Sequence, residues 1–81
     1  MMSDTHSNYL KDLGFIIREN CSDALKDYKE AKRKGEDVEF KQGYLMGLHS
    51  VASLMQNQAA AFQISDDEIG FKEFNAEDLI N

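Results

Sequence analysis

One glycine limits what this chain can fold into more than any other residue. Gly35 stands in the segment Lys32-Arg33-Lys34-Gly35-Glu36-Asp37, between two long runs that contain no proline. Lysine and arginine complement the negative C-terminal end of a helix dipole. Glycine takes the left-handed conformation that ends a helix, and acids favour the N-terminus of the next one. The segment reads as a helix stop followed at once by a helix start. Both flanking runs carry helical apolar spacing, so the sequence predicts an all-α fold built on an antiparallel two-helix hairpin.

The first helix is expected over 8–34, after a flexible N-terminus at 1–7, with Ser7 or Asn8 as the N-cap. Leu10, Leu13, Ile17, Cys21, Ala24, Tyr28 and Ala31 recur at steps of three and four, which makes one amphipathic stripe. Phe15 and Ile16 widen it. Asn20 borders the stripe and reads as a solvated edge residue rather than a polar register pin. Gly14, inside the helix, costs about 1 kcal/mol relative to alanine. The charged stretch Lys26 to Lys34 is expected to project past the core.

The second helix is expected over 38–63, with Asp37 as its N-cap. Phe40, Tyr44, Leu48, Val51, Met55, Ala59 and Phe62 form its stripe, and Leu45, Ala52 and Leu54 carry apolar character onto the flanks. From Tyr44 to Met55 the polar positions are only His49, Ser50 and Ser53. A helix apolar around most of its circumference needs more than one neighbour. Gly43 and Gly47, four residues apart, share one side of this helix. They read as a point where another backbone approaches closely, or else as a tight crossing inside the hairpin or a frayed first turn.

The remaining segment, 65–81, holds too many apolar groups for a solvated tail. Ser65-Asp66-Asp67-Glu68 has the spacing of a capping box, Gly70 can end that turn, and Asn75 offers a second N-cap. Two short helical turns joined by an extended Phe71–Phe74 stretch are expected, folded back across the hairpin or onto a partner subunit.

Size bears on association. The 81 residues form one domain, 42% hydrophobic, with a single cysteine and no Cys/His cluster. Neither an internal disulfide nor a structural metal is on offer, and small cores usually need such support. The sequence therefore predicts a homodimer in which two hairpins make a four-helix bundle. Leu13, Ile17, Tyr44, Leu48, Val51, Met55 and Phe62 are its expected core and dimer-interface residues. The opening residues lack the pattern of a secretory signal and no run is long enough to span a membrane, so no membrane partner and a cytoplasmic location are expected.

Chemistry is sparse. His6 and His49 have no ligand at helical spacing, neither HExxH nor CxxC occurs, and no cofactor or metal is expected. Cys21 lies mid-helix, away from the dipole end that would activate it, and reads as a small buried thiol. No catalytic residue is expected, and the chain is read as a non-enzyme.

The net charge of −6 is uneven. From Asp66 onward there are six acids and one base, whereas 1–65 hold nine acids and eight bases. This balance disfavours nucleic acid as a partner. One basic cluster, with Lys29, Lys32 and Arg33 as its candidate contacts, reads as a solvated helix end; phosphate or RNA contact is its alternative. The acids read as helix-start chemistry, with an acidic docking surface and nucleic-acid mimicry as alternatives. The function expected is that of a small noncatalytic module or regulator working through protein–protein contacts, with an unidentified partner.

Overall fold

The computed structural model describes residues 4–80. Two α-helices, α1 (Asp4–Arg33) and α2 (Glu39–Ala61), pack against each other. Two single 3₁₀ turns follow, η1 (Asp66–Ile69) and η2 (Ala76–Leu79), and no strand occurs among the described residues. Residues 4–7 of the N-terminus expected to be flexible belong to α1, which begins before both expected caps. Residues 1–3 and 81 lie outside the described residues.

Gly35 does what its neighbours imply. Its φ is +74°, the Glu36 N–H donates to the Ala31 carbonyl at 2.9 Å, and its own N–H donates to Lys32 at 3.2 Å. These are the paired bonds of a Schellman stop, and they satisfy carbonyls that α1 would leave open. Across the turn, Asp37 accepts the Glu39 N–H through Oδ1 at 3.0 Å, so it serves the start of α2 although Val38 is the residue at the helix boundary.

The same bond pair closes two further ends. Phe71 N–H to Asp66 at 2.8 Å and Gly70 N–H to Asp67 at 3.2 Å terminate η1, with Gly70 at φ +82°. Ile64 N–H to Ala59 at 2.8 Å and Gln63 N–H to Ala60 at 3.1 Å terminate α2, here with a non-glycine, Gln63, at φ +58°. A side chain in that region is strained by about 1–2 kcal/mol. Burial of Ile64 against the core is the compensating contact.

The seam between the helices consists largely of small residues. Cys21, Ala24 and Ala31 of α1 are buried, as are Leu45, Ala52 and Ala59 of α2, spaced seven apart. Ile17, Leu48 and Met55 pack around this core as half-buried residues. The C-terminal turns lie on one side of the hairpin, η1 mainly on α1 and η2 on α2. Ile69, Phe71, Ala76 and Leu79 are buried there. Phe71 is fully enclosed and meets Phe74 edge to face at 5.0 Å.

Phe71–Phe74 is a turn rather than the expected extended stretch. The Phe74 N–H donates to Phe71 at 3.2 Å, and Glu73 takes φ +55°. Both capping predictions in this segment hold. Ser65 accepts the Glu68 N–H at 3.3 Å and its hydroxyl reaches the Glu68 carboxylate at 3.2 Å, while Asn75 Oδ1 accepts the Glu77 N–H at 3.0 Å.

What docks the tail was not visible in sequence. Gln56 donates to the Phe74 carbonyl at 3.2 Å and accepts the Ala76 N–H at 2.9 Å, so one α2 side chain satisfies the backbone on both sides of Asn75. Its amide also reaches Asp66 at 3.4 Å. On α1, Gly14 lets η1 sit directly on the helix: a methyl there would overlap the Ile69 carbonyl, and one at Gly70 would overlap the carbonyl of Lys11.

Candidate functional site

Among the described residues, none covers the side of the hairpin away from η1 and η2. At about 100° per residue, Phe40, Tyr44, Gly47, Val51, Leu54 and Gln58 follow one another around α2 at alternating steps of four and three, forming one straight stripe. Phe40 is 83% exposed, Leu54 62%, and Tyr44 and Val51 are exposed as well; Phe62, at 71%, flanks the far end. Gln56, which holds the tail, lies on the other side of the buried Leu45–Ala52–Ala59 row. The same division holds on α1. Gly14 faces η1, Cys21 and Ala24 lie in the core, and the exposed Tyr9, Leu13 and Ile16 lie on the side opposite η1. Both helices therefore show apolar side chains on one common face.

This splits the stripe expected on α2. Leu48 and Met55 pack inward with Ile17 against the core. Tyr44, Val51 and Phe62, with Leu13 of α1, are solvent-exposed in the single chain. The fully buried row joins Ala59 of the expected stripe to Leu45 and Ala52 of its flank. A helix seam this tight is filled by alanines and a cysteine, which leaves the larger residues outside it.

Gly43 and Gly47 belong to the uncovered side, and an added Cβ at either would meet nothing within 4 Å. Close packing of these glycines inside the hairpin is therefore ruled out. Each costs about 1 kcal/mol of helix propensity relative to alanine, with no compensating contact in the chain. The close backbone approach falls instead at Gly14 and Gly70. From Gln42 to Ser65 the sequence holds no Asp, Glu, Lys or Arg, so the stripe is free of charge from Tyr44 onward, and charged neighbours, Glu39 and Lys41, stand only beside Phe40 at its start.

Area gives the same answer. The chain exposes 5897 Å², against roughly 4,900 Å² for a compact monomer of 9.2 kDa. The excess of about 1,000 Å² is the size of one partner's share of a stable protein–protein interface, about 800 Å². The molecule measures 50 × 21 × 19 Å, and its radius of gyration is 14.2 Å, against about 12 Å for a globular chain of this length.

The remaining candidates offer less. Lys29, Lys32 and Arg33 are exposed at the end of α1. Lys32 stands over the Tyr28 ring, 5.9 Å from its centre, and the neighbouring Lys34 pairs with Glu30 at 3.2 Å, so part of the cluster's charge is engaged locally. Tertiary folding gathers Lys11, Arg18 and Lys72 around a hollow with Phe15 and Asp67. The spacing of Lys11 and Arg18, two turns apart, was legible in sequence, but the arrival of Lys72 was not.

Cys21 is fully buried, its thiol directed at the Leu48 carbonyl at 4.0 Å, and loss of solvation pushes its pKa up, away from the reactive thiolate. His49 Nε2 is buried without a hydrogen-bond partner. An apolar hollow of about 320 Å³ opens where Leu10 meets Met55, Ala59 and Ile64, and Gln58 is the one polar side chain in its wall. Among the described residues no group of three or more His, Cys, Asp or Glu could hold a metal ion, and no helix is long and apolar enough to cross a membrane.

Comparison with known protein families, with characterised proteins and with solved structures finds no match to this chain.

Proposed function

We propose that this protein is a noncatalytic protein–protein interaction module whose working surface is the uncovered face of the hairpin, and that the first occupant of that face is a second copy, giving a homodimeric four-helix bundle. The observation that carries the reading is the exposed stripe from Phe40 to Phe62, on a helix that carries no Asp, Glu, Lys or Arg after Lys41. Exposed apolar patches beyond a few hundred Å² mark interaction surfaces. The alternating four-and-three spacing is that of a helix seam rather than of scattered surface residues. An enzyme would need convergent polar groups in an enclosed site. In the apolar hollow beside Leu10, Gln58 is the single polar side chain, and Cys21 sits in the core.

The experiment is sedimentation of the full chain at low micromolar concentration, alongside Leu54→Glu. Leu54 is exposed in the single chain, so the charge leaves the hairpin intact but is buried in a dimer. A dimer that becomes a folded, helical monomer in the variant is the expected result. A wild-type monomer at that concentration would overturn the reading.

A further inference from the structure

The uncovered stripe carries information about direction. It is nearly symmetric about Val51: Phe40 lies eleven residues before it and Phe62 eleven after, so bulky aromatic groups stand at both ends. The small positions are not symmetric, since Gly43 and Gly47 both fall in the N-terminal half. We infer that α2 pairs with α2 of a second copy in antiparallel orientation, with the two-fold axis crossing the stripe near Val51. The inference rests on the self-association proposed above and gives it a geometry.

Side-chain size decides the orientation. In a parallel, in-register pair each residue meets its own counterpart. Gly47 would then face Gly47, leaving a void, one turn away from Tyr44 against Tyr44, and interfaces packed to interior density exclude such gaps beside bulk. Reversing one helix exchanges the steps of three and four. Gly47 then lies opposite the 51–58 segment of the partner helix, and Tyr44 lies opposite its 54–61 segment, which ends on Ala61. Gly47 is then covered by side chains and Tyr44 has unlike neighbours, while the two phenylalanines at the ends of the stripe, Phe40 and Phe62, come opposite each other. The empty space around Gly43 and Gly47 is the room this requires.

Charge and area favour a second copy over a foreign partner. No Asp, Glu, Lys or Arg lies between Gln42 and Ser65, so beyond its first residue, Phe40, the stripe offers a charged peptide nothing to pair with, while a two-fold contact between identical neutral surfaces needs no complementary charge. The seam alone is about 34 Å long. Tyr9, Leu13 and Ile16 of α1 extend the contact across the same face, toward the area a stable dimer needs.

The test uses the full chain with Cys21→Ala as background, single cysteines at Ser50 and at Tyr44, and a short bifunctional maleimide, each variant first checked for dimer by sedimentation. Ser50 is exposed at the edge of the stripe, beside the inferred axis, and tolerates the near-isosteric Ser50→Cys. In the antiparallel dimer the Ser50→Cys chains crosslink efficiently and the Tyr44→Cys chains, separated by several helical turns, crosslink at least tenfold less. Efficient crosslinking through Tyr44→Cys would establish a parallel pair and overturn the inference while leaving self-association standing. A dimer that crosslinks at neither position would place the contact off α2 and also overturn it. A monomeric background protein would overturn the underlying self-association itself. Val51→Cys is the second probe at the axis should Ser50→Cys weaken the dimer, with the same expectation.

Discussion

Four glycines in helices or turns divide into two pairs. Gly14 and Gly70 are in backbone contact with each other's segments, and no side chain fits at either. Gly43 and Gly47 face open space. Substitution should therefore have opposite signs in the single chain. Gly14→Ala places a methyl against the Ile69 carbonyl, a backbone group that moves only if η1 lifts. A loss of about 2 kcal/mol or more is expected, offset only in part by the gain of up to 1 kcal/mol in helix propensity. Gly43→Ala meets nothing and should keep that gain in a monomeric background such as Leu54→Glu. Urea unfolding of the two variants in that background measures both. Equal effects at the two positions would refute the docked arrangement of η1. At this scale sequence was a poor guide, because a glycine's neighbours are set by a segment 56 residues further along the chain.

At the scale of elements, the ends that glycine marks were legible and those it does not mark were not. Gly35 and Gly70 announce their stops; Gln63 and Glu73 adopt positive φ with no residue-type signal. Serine and asparagine caps at Ser65 and Asn75 were readable because an N-cap depends on a side chain within three residues. The docking of η2 was not, since it depends on Gln56, twenty residues before Ala76. Gln56→Ala leaves the half-buried Ala76 N–H and Phe74 carbonyl without that partner. The cost of such unpaired groups is about 1–3 kcal/mol. Hydrogen exchange should report faster exchange in 74–80 than in α1, because the substitution loosens the tail before the hairpin. Uniform acceleration throughout the chain would mean that tail and hairpin unfold as one unit.

For the molecule as a whole, the C-terminal turns cover one side of a two-helix layer and leave the other bare. Ile69, Phe71, Ala76 and Leu79 fill the covered side, so the acidic segment is built onto the core, and five of its six acids (all but Glu73) lie at helix starts, where they complement the dipole. If a second copy covers the bare side, the thermal midpoint rises with protein concentration, because binding to the folded state alone stabilises by mass action. Calorimetry over a hundredfold range of concentration should show that rise in the wild type and none in Leu54→Glu. A midpoint independent of concentration in both would show that the face stays open.

Sequence alone determined the elements: two helices, the Gly35 stop between them, the capped turns after Ser65 and Asn75, and the need of α2 for more than one neighbour. Each follows from interactions within a few residues or from the periodicity of one helix. The tertiary structure decided which residues meet. It chose the small-residue row Leu45, Ala52 and Ala59 for the seam, set η1 on Gly14, tied the tail to Gln56, and left Phe40, Tyr44, Val51, Leu54 and Phe62 outside. The physical reason is that periodicity gives the width of an apolar surface but not its rotation. Which arc of α2 turns inward depends on how closely two backbones can approach, and that is a property of both helices and the tail together.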